Sequence, residues 1–174
     1  MKVRNMALCA LFAALLTICA WIAIPATDIA FTLQTLGVFL TLGLLGGKRG
    51  TAAIAVYLAM GAVGFPVFSG FRGGIGILLG ATGGYIWGFL AAGMVYWLLT
   101  ALLPSKNIYR LLCMVAGQIV CYALGTVWFY FVYLQGSGSV WLVIAQCVLP
   151  YLIPDCVKLL LAWILTGRLN RFVY

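Results

Sequence analysis

The sequence predicts an all-α integral membrane protein with six transmembrane helices and both termini in the cytoplasm. Three observations carry that expectation. Hydrophobic residues make up 66% of the chain and charged residues only 7%. With a mean hydropathy of +1.20, this is far more apolar than a soluble core requires. Second, six apolar stretches alternate with short turns, over about 6–24, 31–45, 51–65, 80–103, 110–134 and 140–166, so residues 1–174 form a single membrane domain. Third, Lys2, Arg4, Lys48, Arg49, Lys106, Arg110, Arg168 and Arg171 fall on one side of these spans and only Arg72 on the other. Lys and Arg collect in cytoplasmic loops, which places both termini inside.

The first span follows Lys2 and Arg4. A cleavable signal begins the same way, but Cys19-Ala20-Trp21 is a poor cleavage context, so the stretch reads as a retained helix. Ala7, Ala10, Ala13 and Ala14 give it a small-residue face, and Ala10-x-x-x-Ala14 has the spacing that lets helices approach closely. Internal packing and a partner interface both fit that face. Pro25–Ala30 is a loop carrying Asp28, and the second span opens with Thr32, Gln34 and Thr35, polar enough to line a cavity. Gly46–Gly50 is a basic turn, and the third span ends at Gly64-Phe65-Pro66. Some 15 residues of helix rise only about 23 Å, less than the roughly 30 Å hydrocarbon core. Non-helical backbone or a cavity must complete that span.

Val67–Leu79 is the one long connection, rich in both glycine and apolar residues. Its glycines make it pliable and its amides can form an anion-binding concavity. It is either a lid over a site or an ordinary surface loop. Gly80-Ala81-Thr82-Gly83-Gly84-Tyr85 opens the fourth span and allows close approach of a helix or a ligand. Pro104–Tyr109 is a polar turn, and Arg110 begins the fifth span. Its far end, Trp128-Phe129-Tyr130-Phe131 with Tyr133, has the composition of an interfacial aromatic belt.

The sixth span holds Asp155 and Lys158, three residues apart in apolar surroundings. Each such charge on a lipid-facing helix costs roughly 2.5–3.5 kcal/mol. At i and i+3 they share a helix face and point together into the bundle. They are either a structural ion pair or a polar ligand site, and intramembrane ionisable pairs favour the second. Pro150 and Pro154 break or kink the helix just before them. Arg168 lies about 20 Å of helix rise beyond Asp155, which puts the pair in the outer half of the membrane, beneath the Val67–Leu79 loop.

Other chemistry is excluded by what is missing. The chain has no histidine, and Asp28 and Asp155 are its only acids, so a Ser-His-Asp triad is impossible and an intramembrane enzyme is disfavoured. Gly46-Gly47-Lys48-Arg49-Gly50-Thr51 lacks the spacing of a phosphate loop, so the chain does not hydrolyse ATP. The six cysteines form no CxxC pair and sit in apolar spans, implying neither disulfide nor metal. The cations are scattered rather than gathered into a stripe, which argues against nucleic acid despite the net charge of +8.

Phe31-Thr32-Leu33-Gln34-Thr35-Leu36-Gly37-Val38, Gly64-Phe65-Pro66-Val67-Phe68, Gly80-Ala81-Thr82-Gly83-Gly84-Tyr85 and the terminal Pro-x₄-Asp-x-x-Lys closely resemble the BioY family. Its members are the biotin-binding substrate components of energy-coupling factor (ECF) transporters. The resemblance spans essentially the whole chain, with its four motifs in family order. It implies a protein that captures biotin from outside and needs no cofactor of its own. It also implies a transmembrane coupling subunit and two ATPase subunits as partners, with ATP used only by the latter. Ala10 and Ala14 match the family's docking face for the coupling subunit.

The implied biotin site comprises Asp155, Lys158, Gln34, Thr82, Gly83, Gly84, Tyr85, Arg72, Gly73 and Gly74. An ionised carboxylate only accepts and an ammonium only donates, so Asp155 is expected to take a ureido N–H and Lys158 to reach the ureido oxygen. The ligand carboxylate then lies near the amides of Gly70, Gly73 and Gly74, with Arg72 beside it. The rival arrangement pairs Lys158 with that carboxylate. Three departures from the family pattern stand out: Ile153-Pro154 for the usual proline-glycine, Ala81 for a common proline, and Phe71-Arg72 where the loop is often richer in glycine.

Overall fold

A computed structural model describes residues 3–24, 31–104, 106–135 and 139–173. The expected 25–30 loop with Asp28, together with Lys2 and the Arg171 side chain, lies outside the described residues. The elements in order are α1 (Val3–Trp21), β1 (Ala23–Ile24), β2 (Phe31–Thr32), α2 (Gln34–Val63), α3 (Ile75–Leu79), α4 (Gly83–Leu102), α5 (Asn107–Trp128) continued by a π turn (Phe129–Tyr133), α6 (Val140–Cys147) and α7 (Leu149–Val173). Among the described residues four helices are long and apolar enough to cross a membrane: Val3–Trp21, Gly83–Leu102, Asn107–Val132 and Leu149–Leu169.

α2 is not one rod. Gly46 sits at φ 76°, ψ 167°, a conformation open to glycine, and the chain reverses there. Gln34 Nε2 donates to the Tyr57 hydroxyl at 2.8 Å across 23 residues, whereas a straight helix would set them about 34 Å apart. The two arms, 34–45 and 47–63, therefore run back to back. The turn expected over Gly46–Gly50 is confined to Gly46, because Lys48 and Arg49 already belong to the second arm. Gly64, at φ 116°, caps that arm through its N–H to Gly61 O.

α1 packs on α2 through Cys9, Phe12, Ala13, Leu16 and Ala20. A side chain at Gly37 would press on Cys19. Ala10 and Ala14 face outward, so of the alanine face only Ala13 serves internal packing. α4 and α5 approach closely where Gly88 meets Cys121 and Gly125 meets the Tyr85 ring. Small residues let helix backbones approach where lipid offers no hydrophobic gain from association.

Two expectations shift. The span at 140–166 is two helices meeting at Val148 (φ −120°, ψ −53°). Pro150 sits in the first turn of α7, where its missing N–H costs nothing, and Pro154 lies inside the helix. The aromatic run closing α5 also turns partly inward. Phe129 is buried with Val143 and Cys147, and Trp128 Nε1 donates to Gly80 O at 3.0 Å, while Phe131 remains exposed.

Candidate functional site

α7 presents Asp155 and Lys158 to the interior, one helical turn apart. Lys158 Nζ donates to Asp155 Oδ1 at 2.8 Å, with both side chains largely buried. α5 supplies what the sequence reading missed. The Tyr122 hydroxyl donates to Asp155 Oδ2 at 2.7 Å, and Gln118 Nε2 reaches the same oxygen at 3.3 Å. Gln118 and Tyr122 lie four residues apart, hence on one face. A lone amide amid the apolar fifth span was the available signal. The carboxylate thus has three donors from the protein. Gln118 Oε1 is buried with no partner among the described residues, an acceptor left for whatever occupies the space beside it.

That space is a cavity of about 200 Å³, more than ten times the roughly 10–15 Å³ a single water needs. Its walls come from most of the bundle. Thr32, Gln34 and Thr35 line it from β2 and the first arm of α2, and Thr82 and Tyr85 from the start of α4. Gln118, Cys121 and Tyr122 close the α5 side, and Tyr151, Asp155 and Lys158 the α7 side. Tyr151 is fixed by stacking on Phe31, ring centroids 4.3 Å apart. Apolar walls with a few converging polar groups are the usual form of a small-molecule site.

The 67–79 connection covers this cavity with Phe68, Ser69, Arg72 and Ile77. It is tied down more firmly than its glycine content suggests. Gln34 donates to Tyr57, and Tyr57 donates to Val67 O at 3.0 Å. Phe68 N donates to Arg72 O at 2.9 Å, and Val67 and Phe68 are buried. At its tip Phe71 takes φ 56° and lies against Trp21, ring centroids 4.8 Å apart. Trp21 Nε1 also donates to Pro66 O at 2.8 Å, so the end of α1 holds the loop.

Six of the ten residues expected at the site line one cavity: Asp155, Lys158, Gln34, Thr82, Tyr85 and Arg72. Gly73, Gly74, Gly83 and Gly84 do not. Gly73 is pressed on the Phe65 carbonyl, Gly83 on that of Leu78, and Gly84 on Trp128. The N–H of Gly74 is spent on Gly61 O at 2.7 Å and that of Gly83 on Gly80 O at 3.0 Å. At Gly73, Gly83 and Gly84 neighbouring protein fills the space a side chain would take, whereas Gly74 has open space there, and of the groups expected around the carboxylate only Arg72 lines the cavity. Arg72 Nε is held by Ser69 O at 3.2 Å, which leaves its terminal nitrogens free to turn toward the cavity.

Apolar helices enclosing a paired buried charge and a roofed polar cavity define a multi-pass helical membrane protein with an internal polar site. The chain matches the BioY family model over residues 1–174 and belongs to that family. It is 39% identical over 170 residues to the biotin transporter BioY of Thermotoga maritima, covering 97% of this chain and 96% of that one. It is 36% identical to the probable biotin transporter BioY of Pyrococcus horikoshii, with 98% of each chain covered. Among solved structures it is similar to the S-component for biotin from an ECF-type ABC transporter, with a TM-score of 0.85 and 26% identity over 98% of this chain and 92% of the other.

Proposed function

We propose that this chain is the biotin-binding component of a vitamin uptake transporter. The observation that carries the reading is the Asp155 carboxylate, oriented by Lys158, Tyr122 and Gln118 inside a roofed cavity, in a chain whose family relatives are biotin transporters. A ureido ring offers N–H donors and one strong acceptor. Asp155 and Gln118 Oε1 accept from the ring N–H groups, and Lys158 donates to the ring oxygen. Charge-assisted bonds of this kind are about twice as strong as neutral ones. The aromatic and aliphatic walls suit the thioether ring and the tail, whose carboxylate lies toward Arg72. Equilibrium binding of labelled biotin to the purified protein tests this. Saturable binding displaced by unlabelled biotin is expected, and its absence from well-folded protein overturns the reading.

Six crossings are formed by α1, the two arms of α2, α4, α5, and α6 with α7 together, with both termini cytoplasmic. The short arms are completed by the β1–β2 pair at one end and by the 67–79 loop over the cavity. Lys48, Arg49, Lys106, Arg110 and Arg168 then share the cytoplasmic end. Delivery inward requires a coupling subunit and two ATPase subunits, since this chain has no phosphate loop. Ala10 and Ala14, outward on α1, are the docking face for the coupling subunit. Ala14→Leu is expected to abolish uptake and copurification of that subunit while biotin binding by the isolated protein persists. Parallel loss of binding would return those alanines to internal packing.

A further inference from the structure

A second cavity, of about 270 Å³, lies at the opposite end of the same helices. Along α4 the first cavity is bordered by Tyr85, Ile86 and Phe89 and the second by Tyr96 and Thr100, so Phe89 and Tyr96 set them roughly 10 Å of helix rise apart. Gly46 and Gly47, at the reversal of α2, form one wall, and Tyr109 and Arg110 of α5 form another.

Two features give this cavity a positive character that the described residues do not neutralise. Arg110 is half-buried, and neither a hydrogen bond nor an ion pair engages its guanidinium among the described residues. The one described acid, Asp155, belongs to Lys158 at the other end. Arg110 also sits in the first turn of α5, which carries no acidic residue and no side-chain cap. A cation there opposes the helix dipole. The second arm of α2 begins at the same cavity and carries Lys48 and Arg49 in its first turn. Leu98, Leu102 and Ile108, each within two residues of a lining position, are exposed, so an anion tethered to acyl chains meets apolar surface as well as charge.

The geometry points to this cavity as a seat for a phosphate group presented by an anionic lipid, with the Arg110 guanidinium and the Tyr109 hydroxyl as its donors. Arg matches phosphate oxygens with two parallel N–H bonds, and basic pockets between membrane helices are a recurrent way to hold lipid headgroups. The phosphate supplies the negative charge that two helix starts and Arg110 lack.

The test is thermal unfolding and lipid retention of the full chain, stripped of lipid in a neutral detergent. Phosphatidylglycerol, phosphatidylcholine and inorganic phosphate are then added separately. Phosphatidylglycerol is expected to raise Tm and to remain bound in native mass spectra, with phosphatidylcholine giving less of both. Arg110→Gln should weaken phosphatidylglycerol binding about fivefold, the equivalent of about 1 kcal/mol for one basic contact. Tyr109→Phe, which removes a single oxygen, should weaken it less and guards against a fold defect in the first variant. Arg168→Gln, a cation outside the cavity, should leave it unchanged. Equal effects of the two lipids, or equal losses in all three variants, would overturn the site in favour of diffuse surface charge. A full Tm shift with inorganic phosphate alone would overturn the lipid as its source.

Discussion

The two ends of the bundle hold cavities of comparable size, about 200 Å³ at Asp155 and about 270 Å³ at Arg110, yet they handle charge in opposite ways. At the Asp155 end every charge on α7 is met within the chain. A carboxylate receives an ammonium, a phenol and an amide, and the pair is roofed by a fixed loop. At the Arg110 end cations gather around two helix starts with no acid among the described residues. Compensation inside the chain suits a site for a polar solute with no net charge at its ring, because a ring with matched donors and acceptors can bridge a pre-paired ion couple. A site left uncompensated selects a ligand that brings charge of its own.

The strongest way to break this contrast is to remove one member of the buried pair. Lys158→Met strands a carboxylate in an apolar interior, and breaking such a pair costs about 3–5 kcal/mol. A large fall in Tm is expected with loss of biotin binding. A variant that binds normally would show that the pair serves neither purpose. Tyr122→Phe is milder, since Lys158 stays in place. Removing a hydrogen bond to a charged group costs about 1.5–3 kcal/mol, read as weaker biotin affinity with little change in fold. Unchanged affinity would reduce Tyr122 to a bystander.

Gly84→Ala sharpens the division between ligand contacts and packing contacts. A methyl group there collides with Trp128, and overpacking of this kind costs about 1–3 kcal/mol. Stability should drop while affinity in the surviving folded protein changes little. An affinity loss without a stability loss would put Gly84 back against the ligand. The smallest effect is expected from capping the biotin carboxylate as an amide. Arg72 is exposed, and exposed ion pairs contribute about 0–1 kcal/mol. A larger loss, abolished in Lys158→Ala, would reverse the ligand and pair its carboxylate with Lys158.

Much of the fold was legible because hydrocarbon imposes a simple rule: charge is expensive, so its rare placements carry information. Asp155 and Lys158 stood out for that reason, and their spacing put them on one face before any neighbour was known. Thr32, Gln34 and Thr35 were legible likewise, as polar residues opening an apolar span, and all three line the cavity. The run of cations at the span ends marked the end that now carries the Arg110 cavity.

What the sequence by itself determined is the set of apolar spans, the rarity and pairing of the intramembrane charges, and the motifs that resemble one family. Only the tertiary structure decided which neighbours those residues meet. Gln118 and Tyr122 became partners of Asp155 because α5 turns that face toward α7, a rotation that periodicity along one helix does not specify. Gly73, Gly74, Gly83 and Gly84 read equally well as seats for a ligand or for protein, since a missing side chain records only that something comes close. Packing set Gly73, Gly83 and Gly84 against Phe65, Leu78 and Trp128, and a backbone hydrogen bond tied Gly74 to Gly61. Gly46 alone reverses α2, because one residue at positive φ suffices to redirect a helix and local composition spreads that signal over the whole glycine-rich turn. Burial cost is written residue by residue along the chain, whereas contact depends on how helices rotate and approach in three dimensions.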